Sequence, residues 1–331
     1  MSVAAPKVRG WNDPRLRGVV YQVLALGAVI AVGWFLVGNT LHNLATRGIV
    51  TGFDFLSRPA SFAIGETLAA YSPADTFARA LWIGLLNTLL VSVLGIVLST
   101  ILGTVIGIVR LSSNWLMAKL ATFYVESVRN VPLLLQLFLW YTLIAQTLPG
   151  PRQAIHLLPG VWLSNRGLAV PMIDWATMSI SVPHLGGFNF VGGASLSPEL
   201  AALLFGLTTY TAAFIAEVVR GGILAVPKGQ SEAASAIGLS RGQSLRFIVL
   251  PQALRIIVPP LASQYLNLLK NSSLAVAIGY PDLVSVSNTT INITGQAIEG
   301  FAIVMGIFVV ISLALSALMN WYNHKVALVV R

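Results

Sequence analysis

The 331-residue chain contains no cysteine and only 11 acidic residues. The first absence excludes disulfides and thiolate metal sites, and the four scattered histidines offer no ligand spacing in their place. The second leaves charged residues at 9% of the chain against 56% hydrophobic, too few to clothe an ordinary globular surface. That balance belongs to an integral membrane protein. A formal charge of +9 raises the question of nucleic acid, yet no basic cluster interleaved with aromatics occurs, and Lys and Arg stand at the ends of apolar runs. Also missing is the Gly-rich Lys-Ser/Thr loop that cradles nucleotide phosphates, so any ATP-driven work needs another polypeptide.

What is present is a series of apolar runs. A polar start, Met1 to Gly18, carries Lys7, Arg9, Arg15 and Arg17; Val19 to Gly38 then suffices to cross a hydrocarbon core of about 30 Å. This run exceeds the apolar segment of a usual signal peptide and no small-x-small site follows it, so an uncleaved helix is expected. Asn39 to Arg79 reads as an external connector with both charge signs. Ala80 to Val109 is long enough to cross with tilt, and Gly103 and Gly107 form a small-xxx-small pair suited to close helix approach. Arg110 to Asn130 returns inside as an amphipathic interfacial segment, and Val131 to Leu148 spans outward with Pro132 in its first turn. Prolines 149, 151, 159, 171 and 183 forbid a long helix up to Pro198, where Ile180 to Val182 and Phe188 to Val191 suggest a small hairpin. Pro198 to Val218, Val258 to Gly279 and Phe301 to Tyr322 complete six crossings with both ends inside. Fourteen of the 20 basic residues then fall in segments assigned inside and five outside, as the positive-inside rule requires, with Lys270 within a span.

The polar segment from Val226 to Pro251 lies between two of these runs and is expected on the inner side. Ser231 to Leu239 reads as a short helix, with Ser231 as cap, Glu232 complementing the positive end of the dipole and alanines favouring helix until Gly238 stops it. Ser240 to Leu250 reads as a second, with Arg241 and Arg246 on one side and Leu245, Phe247, Ile248 and Val249 available for burial, until Pro251 interrupts. A helix, a glycine turn and a helix make a knob.

These residues carry a resemblance. Glu232, Ala233, Ala234, Gly238, Ile248, Leu250 and Pro251 stand at the spacing of the coupling-loop signature of permease subunits of bacterial ABC importers. The run from Glu126 to Phe138 and the run Ala216 to Ile223 are similar to the polar amino-acid permeases of that superfamily. The likeness covers roughly Ala80 to Arg331, while the extra first helix and the long connector resemble its broad-specificity L-amino-acid branch. The expected fold is an all-α polytopic membrane protein of about six transmembrane helices: a cytoplasmic tail 1–18, an extra helix and external connector 19–79, and a type I importer core 80–331. That core carries an external insertion 149–197, longer than relatives usually have, and a cytoplasmic coupling loop 220–256.

The resemblance implies that Glu232, Ala233, Ala234, Gly238, Arg241, Leu250 and Pro251 couple to a cytoplasmic ATPase, which holds the ATP and Mg. This chain would carry no cofactor, metal or catalytic residue. It also implies a second permease subunit, a paralogue rather than a second copy, an extracytoplasmic amino-acid-binding protein as donor, and residence in the bacterial inner membrane.

Charged and amide side chains within a span face a cavity or a partner. Lys270 would sit about twelve residues, or roughly 18 Å, into its helix, where burial of its charge costs about 2.5 to 3.5 kcal/mol. A carboxylate or carbonyl partner is expected, with Glu126 and Glu217 the candidate acids. Similar permeases commonly have Lys-Asp where this chain has Lys270-Asn271, which leaves Lys270 either paired elsewhere to fix helix packing or free to meet a substrate carboxylate. Gln136, Thr209, Tyr210, Asn267, Asn271 and Ser272 are further pathway candidates, with hydrogen bonding between helices as the competing use. An ion-coupled secondary transporter would show inverted repeats, and a membrane enzyme a catalytic constellation on facing helices; no convincing repeat occurs and the few acids stand mostly at helix ends.

Overall fold

The computed structural model describes residues 14–46, 48, 51–174 and 178–326. Residues 1–13 of the expected tail, and Arg47 in the connector, lie outside them. The described chain is mostly helical. α1 spans Pro14–Thr46, α2 Phe77–Val109, α3 Trp115–Asn130, α4 Leu133–Thr142 and α5 Pro198–Leu224; α6 (Lys228–Ala236), α7 (Arg241–Ser244), α8 (Leu250–Asn271), α9 (Leu283–Thr294) and α10 (Ala297–Val326) follow. Five helical stretches are long and apolar enough to cross a membrane, and α3 with α4 makes a sixth if the bent pair counts as one. That pair turns through 104°. The cause is Pro132, which forces Val131 into extended backbone (ψ 128°). Gln136 closes the break: its amide donates to the carbonyls of Val128 and Val131, each at 2.9 Å.

The closest packing joins α2 to α5. A Cβ on Gly103 would lie 2.7 Å from the Ile215 Cβ and 2.8 Å from the Ala212 carbonyl oxygen, and one on Gly107 2.8 Å from that of Ala216. The small-xxx-small pair therefore lets two backbones meet. By contrast, the spanning windows of α1 and α10 hold no fully buried residue among the described ones; α10 packs Ile303, Val304, Ile307 and Phe308 on the connector and α9, and its other face, like α1, is left to lipid or to another subunit.

The connector is more ordered than its mixed composition suggested. Phe55 and Ala60 are fully buried with Phe77, Leu81, Leu283 and Val286, and the Glu299 carboxylate accepts from the Gly52 N–H at 2.8 Å, tying the connector to α10.

The insertion departs from an all-helical chain. Its described residues hold eight short strands: β1 (Ile155–Leu158), β2 (Val161–Ser164), β3 (Gly167–Val170), β4 (Met172–Asp174), β5 (Ser179–Ser181), β6 (His184–Gly186), β7 (Asn189–Val191) and β8 (Ala194–Leu196). They form an antiparallel sheet in the order β1-β2-β3-β8 and two hairpins, β4-β5 and β6-β7. The segments around Ile180 and Phe190 are strands, as expected, but not with each other: Ile180 pairs with Ile173 and Phe190 with Leu185. A tight turn at Gly187 (φ +74°) folds β6 back on β7.

Candidate functional site: a helical knob and a polar cavity

α5 leaves the bundle at Ala225, and Pro227 (φ −58°) sets the backbone for the next helix. α6 therefore starts at Lys228, earlier than expected, and Ser231 lies inside it rather than capping it: its carbonyl accepts from the Ser235 hydroxyl at 2.9 Å. Glu232 accordingly sits past the first turn, exposed, and does not serve the helix terminus.

The other end of α6 forms as expected. Gly238 adopts φ +84°. The Leu239 N–H donates to the Ala234 carbonyl at 3.1 Å and the Gly238 N–H to that of Ser235 at 3.0 Å, the paired bonds of a Schellman stop. Ser240 then opens α7 with a reciprocal box that the sequence reading missed, although Ser-x-x-Gln was there to be read: the Ser240 N–H donates to the Gln243 side-chain oxygen at 2.9 Å, and the Gln243 N–H to the Ser240 hydroxyl at 3.4 Å. The Arg241 side chain lies outside the described ones.

Pro251 does not interrupt the second helix. A π turn over Leu245–Val249, closed by Leu250 N–H on the Leu245 carbonyl, shifts the hydrogen-bond ladder ahead of the proline, and the helix runs on as α8. One consequence is rigidity. The knob is continuous with a spanning helix and is anchored by Val226, Val249, Ala253 and Ile257 against Ile215 and Val219 of α5. Ala234, 3% exposed, packs inward. Glu232, Ala233 and Ala236 face out, beside Ile237, which is 76% exposed and was not among the expected contact residues.

Behind the knob, Glu217 of α5 accepts from Arg110 at the end of α2 and from Arg220 (2.5 Å), while Arg110 Nε reaches the Thr122 hydroxyl of α3 at 3.4 Å. The pairing of Lys270 with Glu217 is thus not found, since two guanidinium groups already occupy that carboxylate. Glu126 is exposed on α3, and among the described residues neither it nor Lys270 makes an ion pair.

Lys270 instead lines a cavity of about 250 Å³ between helices, with Gln264, Asn267 and Asn271 of α8 facing Tyr210, Thr211 and Phe214 of α5. Asn267, Lys270 and Asn271 share a face by i, i+3, i+4 spacing. Arg129 lies over the Phe214 ring, 5.0 Å from its centroid, and fixes that side of the wall. The remaining pathway candidates are elsewhere. Gln136 is used at the α3–α4 break; the Ser272 hydroxyl is buried, donating to the Leu269 carbonyl at 2.7 Å and accepting from Ser92 at 3.4 Å; the Thr209 hydroxyl donates to the Phe205 carbonyl at 2.8 Å. The Gln136 and Ser92–Ser272 bonds join separate helices, whereas the Thr209 bond lies within α5.

The profile of a family described as binding-protein-dependent transport system inner membrane component matches residues 95–328. Relatives include the general L-amino acid transport system permease protein AapQ of Rhizobium johnstonii, 43% identical over 97% of this chain and 96% of that protein. Another is the glutamate/glutamine/aspartate/asparagine transport system permease protein BztB of Rhodobacter capsulatus, 38% identical over 96% and 95%. A crystal structure of an amino acid ABC transporter with histidines shares the fold at a TM-score of 0.56, with 24% identity, covering 75% of this chain and 95% of that one.

Proposed function

The chain belongs to the inner-membrane components of binding-protein-dependent transport systems, and from that premise we infer that it is the permease subunit of an ABC importer for L-amino acids. Its relatives AapQ and BztB carry amino-acid transport in their names. The knob from Lys228 to Leu250 docks on a cytoplasmic ATPase subunit, presenting Glu232, Ala233, Ala236 and Ile237. ATP and Mg belong to that partner. Closure of two ATPases moves two such knobs, and a second permease, a paralogue, completes the pathway. A binding protein delivers substrate from outside, and both termini of this chain lie on the cytoplasmic face of the bacterial inner membrane. The observation that carries this reading is the construction of the knob: a helix ended by Gly238, a boxed start at Ser240 and a π turn that joins the whole to α8. A rigid connector of that kind transmits displacement into the bundle rather than absorbing it.

The cavity that Lys270 lines is the place on α5 and α8 where substrate passes, with the ammonium meeting a substrate carboxylate. Two measurements test the assignment. Purification of the tagged chain from its native membrane is expected to bring an ABC ATPase with it; a complex without one overturns the importer reading. Reconstituted uptake by K270A is expected to fall at least tenfold, and wild-type uptake and affinity in an assembled K270A complex would remove Lys270 from the pathway.

A further inference from the structure

A second, larger cavity of about 680 Å³ opens where the insertion meets the bundle, lined by Glu66 of the connector, Asn165, Arg166 and Ser195 of the insertion, and Ser197 and Glu199 at the start of α5. Its walls are built rather than incidental. Asn87, buried on α2, donates to the Glu66 carbonyl at 2.9 Å and to that of Pro281 at 2.8 Å, which pins Glu66 against the bundle. Ser197 caps α5, accepting from Leu200 N–H at 3.0 Å, and the Tyr141 hydroxyl donates to Glu199 at 3.2 Å. Asn165 and Arg166 form the two-residue turn between β2 and β3, fastened by the Asn165 N–H on the Pro149 carbonyl at 2.9 Å. Gly167 brings that turn against α5: its φ is +100°, and a Cβ there would stand 1.9 Å from the Leu196 carbonyl oxygen.

The lining has both signs of charge and free hydrogen-bonding capacity. Burial, with Glu199 as a further cause, raises the Glu66 carboxyl above its ordinary range, while Ser197 opposes the shift. Among the described residues, the side-chain oxygen of Asn165 is buried without a hydrogen-bond partner. Two carboxyl groups and one guanidinium lining the same cavity suit a small zwitterion better than a simple cation or anion.

Position points the same way. Glu199 and Tyr210 are about three helical turns apart on α5, so they share a face and stand roughly 16 Å apart along it. The outer cavity therefore lies in line with the one that Lys270 lines. Between them, α4 covers the same face at Gly206, where a Cβ would come within 2.6 Å of Leu137 and 3.6 Å of Trp140.

We propose that the outer cavity is a receiving site for a free α-amino acid, with Glu66 and Glu199 facing its ammonium group and Arg166 its carboxylate, before it passes the Leu137–Trp140 seal. The insertion thereby contributes to transport, because its β2–β3 turn supplies the carboxylate-binding wall. This rests on the reading of the chain as an amino-acid permease.

The test uses the assembled complex in nanodiscs, with S195C as the sole cysteine of this chain and its alkylation by a maleimide as the readout. L-Glutamine is expected to slow alkylation, while ethylamine and propionate, each half of the zwitterion, need at least tenfold higher concentrations. E199Q and R166Q are expected to raise the half-protecting glutamine concentration tenfold or more, and K270A to leave it in place. Arg166 is exposed, so R166Q keeps the test decisive if E199Q does not assemble. Protection that K270A removes and E199Q and R166Q retain would overturn the outer site. Glutamine uptake driven by the binding protein, measured on the wild-type complex, separates the two readings: uptake without protection overturns this site alone, and absence of both overturns the amino-acid reading as well.

Discussion

Arg110, at the end of α2, donates to the carboxylate of Glu217 on α5, and so locks the two most closely packed spans together beside the exit toward the knob. Arg220 holds the same carboxylate from within α5, three residues on. The Glu217 side chain is 31% exposed, and solvent screening reduces what these bonds contribute. E217Q is expected to cost about 1 kcal/mol, because charge-assisted bonds become neutral ones. R220Q, at a partly exposed i, i+3 pair, is expected to cost about 0.3 to 0.5 kcal/mol. Thermal midpoints of the purified complex check the order, which places E217Q below R220Q.

The meeting of α2 with α5 at Gly103 leaves no room for a methyl group. G103A is expected to lose about 1 to 3 kcal/mol through overpacking and to reduce the yield of assembled protein. I215A in the same chain restores only part of it, since the Ala212 carbonyl oxygen lies as close as the Ile215 side chain. G306A, where a Cβ would meet nothing within 4 Å, is the matched control. Gel-filtration recovery after mild heating distinguishes the three.

At Gly238 the constraint is torsional alone. With φ +84° and open space around an added Cβ, G238A is expected to cost about 1 to 2 kcal/mol locally, loosening the stop of α6. G229A, within α6 and equally open, is expected to stabilise the helix by about 0.5 to 1 kcal/mol. Uptake per ATP hydrolysed should therefore fall in G238A and hold in G229A, with membrane insertion intact in both.

Asp282 caps α9 through Ser285 N–H at 2.8 Å and is otherwise buried, one carboxylate oxygen having no hydrogen-bond partner among the described residues. Burial pushes its carboxyl from 3.8 up to about 7, against the pull of the backbone N–H groups of Ser285 and Val284. A carboxyl raised in the folded state binds its proton more tightly there than in the unfolded chain. Its contribution to stability is therefore full below about pH 4 and is lost as pH rises to about 7. D282N keeps the cap and removes the titration. The thermal midpoint of D282N should be higher than wild type at pH 8, and the wild-type decline between pH 5 and pH 7 should flatten.

Much of the knob was legible because glycine punctuates chains strongly: Gly238 stops α6 in sequence and structure alike. Its edges were less so. Ser231 before Glu-Ala-Ala has the makings of a cap, but Pro227 had already fixed the backbone, and Pro251 reads as a break only if the ladder ahead of it is α-helical. In the membrane, the shared face of Asn267, Lys270 and Asn271 follows from spacing on a single helix. The opposite wall, Thr211 and Phe214, depends on which helix packs against α8, and a single periodicity does not carry that information. Gln136 shows the limit of reading polar residues in spans, since a 104° break supplies two carbonyls that its amide satisfies. The burial of Phe55 and the placement of Glu66 were invisible for a related reason: the connector has no periodic pattern, and long-range contacts with α2, α9 and α10 order it.

Contact between the knob and an ATPase is tested most directly by placing a single cysteine at Ala236, in a chain that has none of its own. A thiol-anchored photoreactive probe on A236C in the assembled complex is expected to cross-link this chain to the ATPase subunit, and excess unlabelled ATPase to leave the adduct intact because the contact is made within the complex. Adducts with lipid or with other permease helices, and none with the ATPase, would contradict the account.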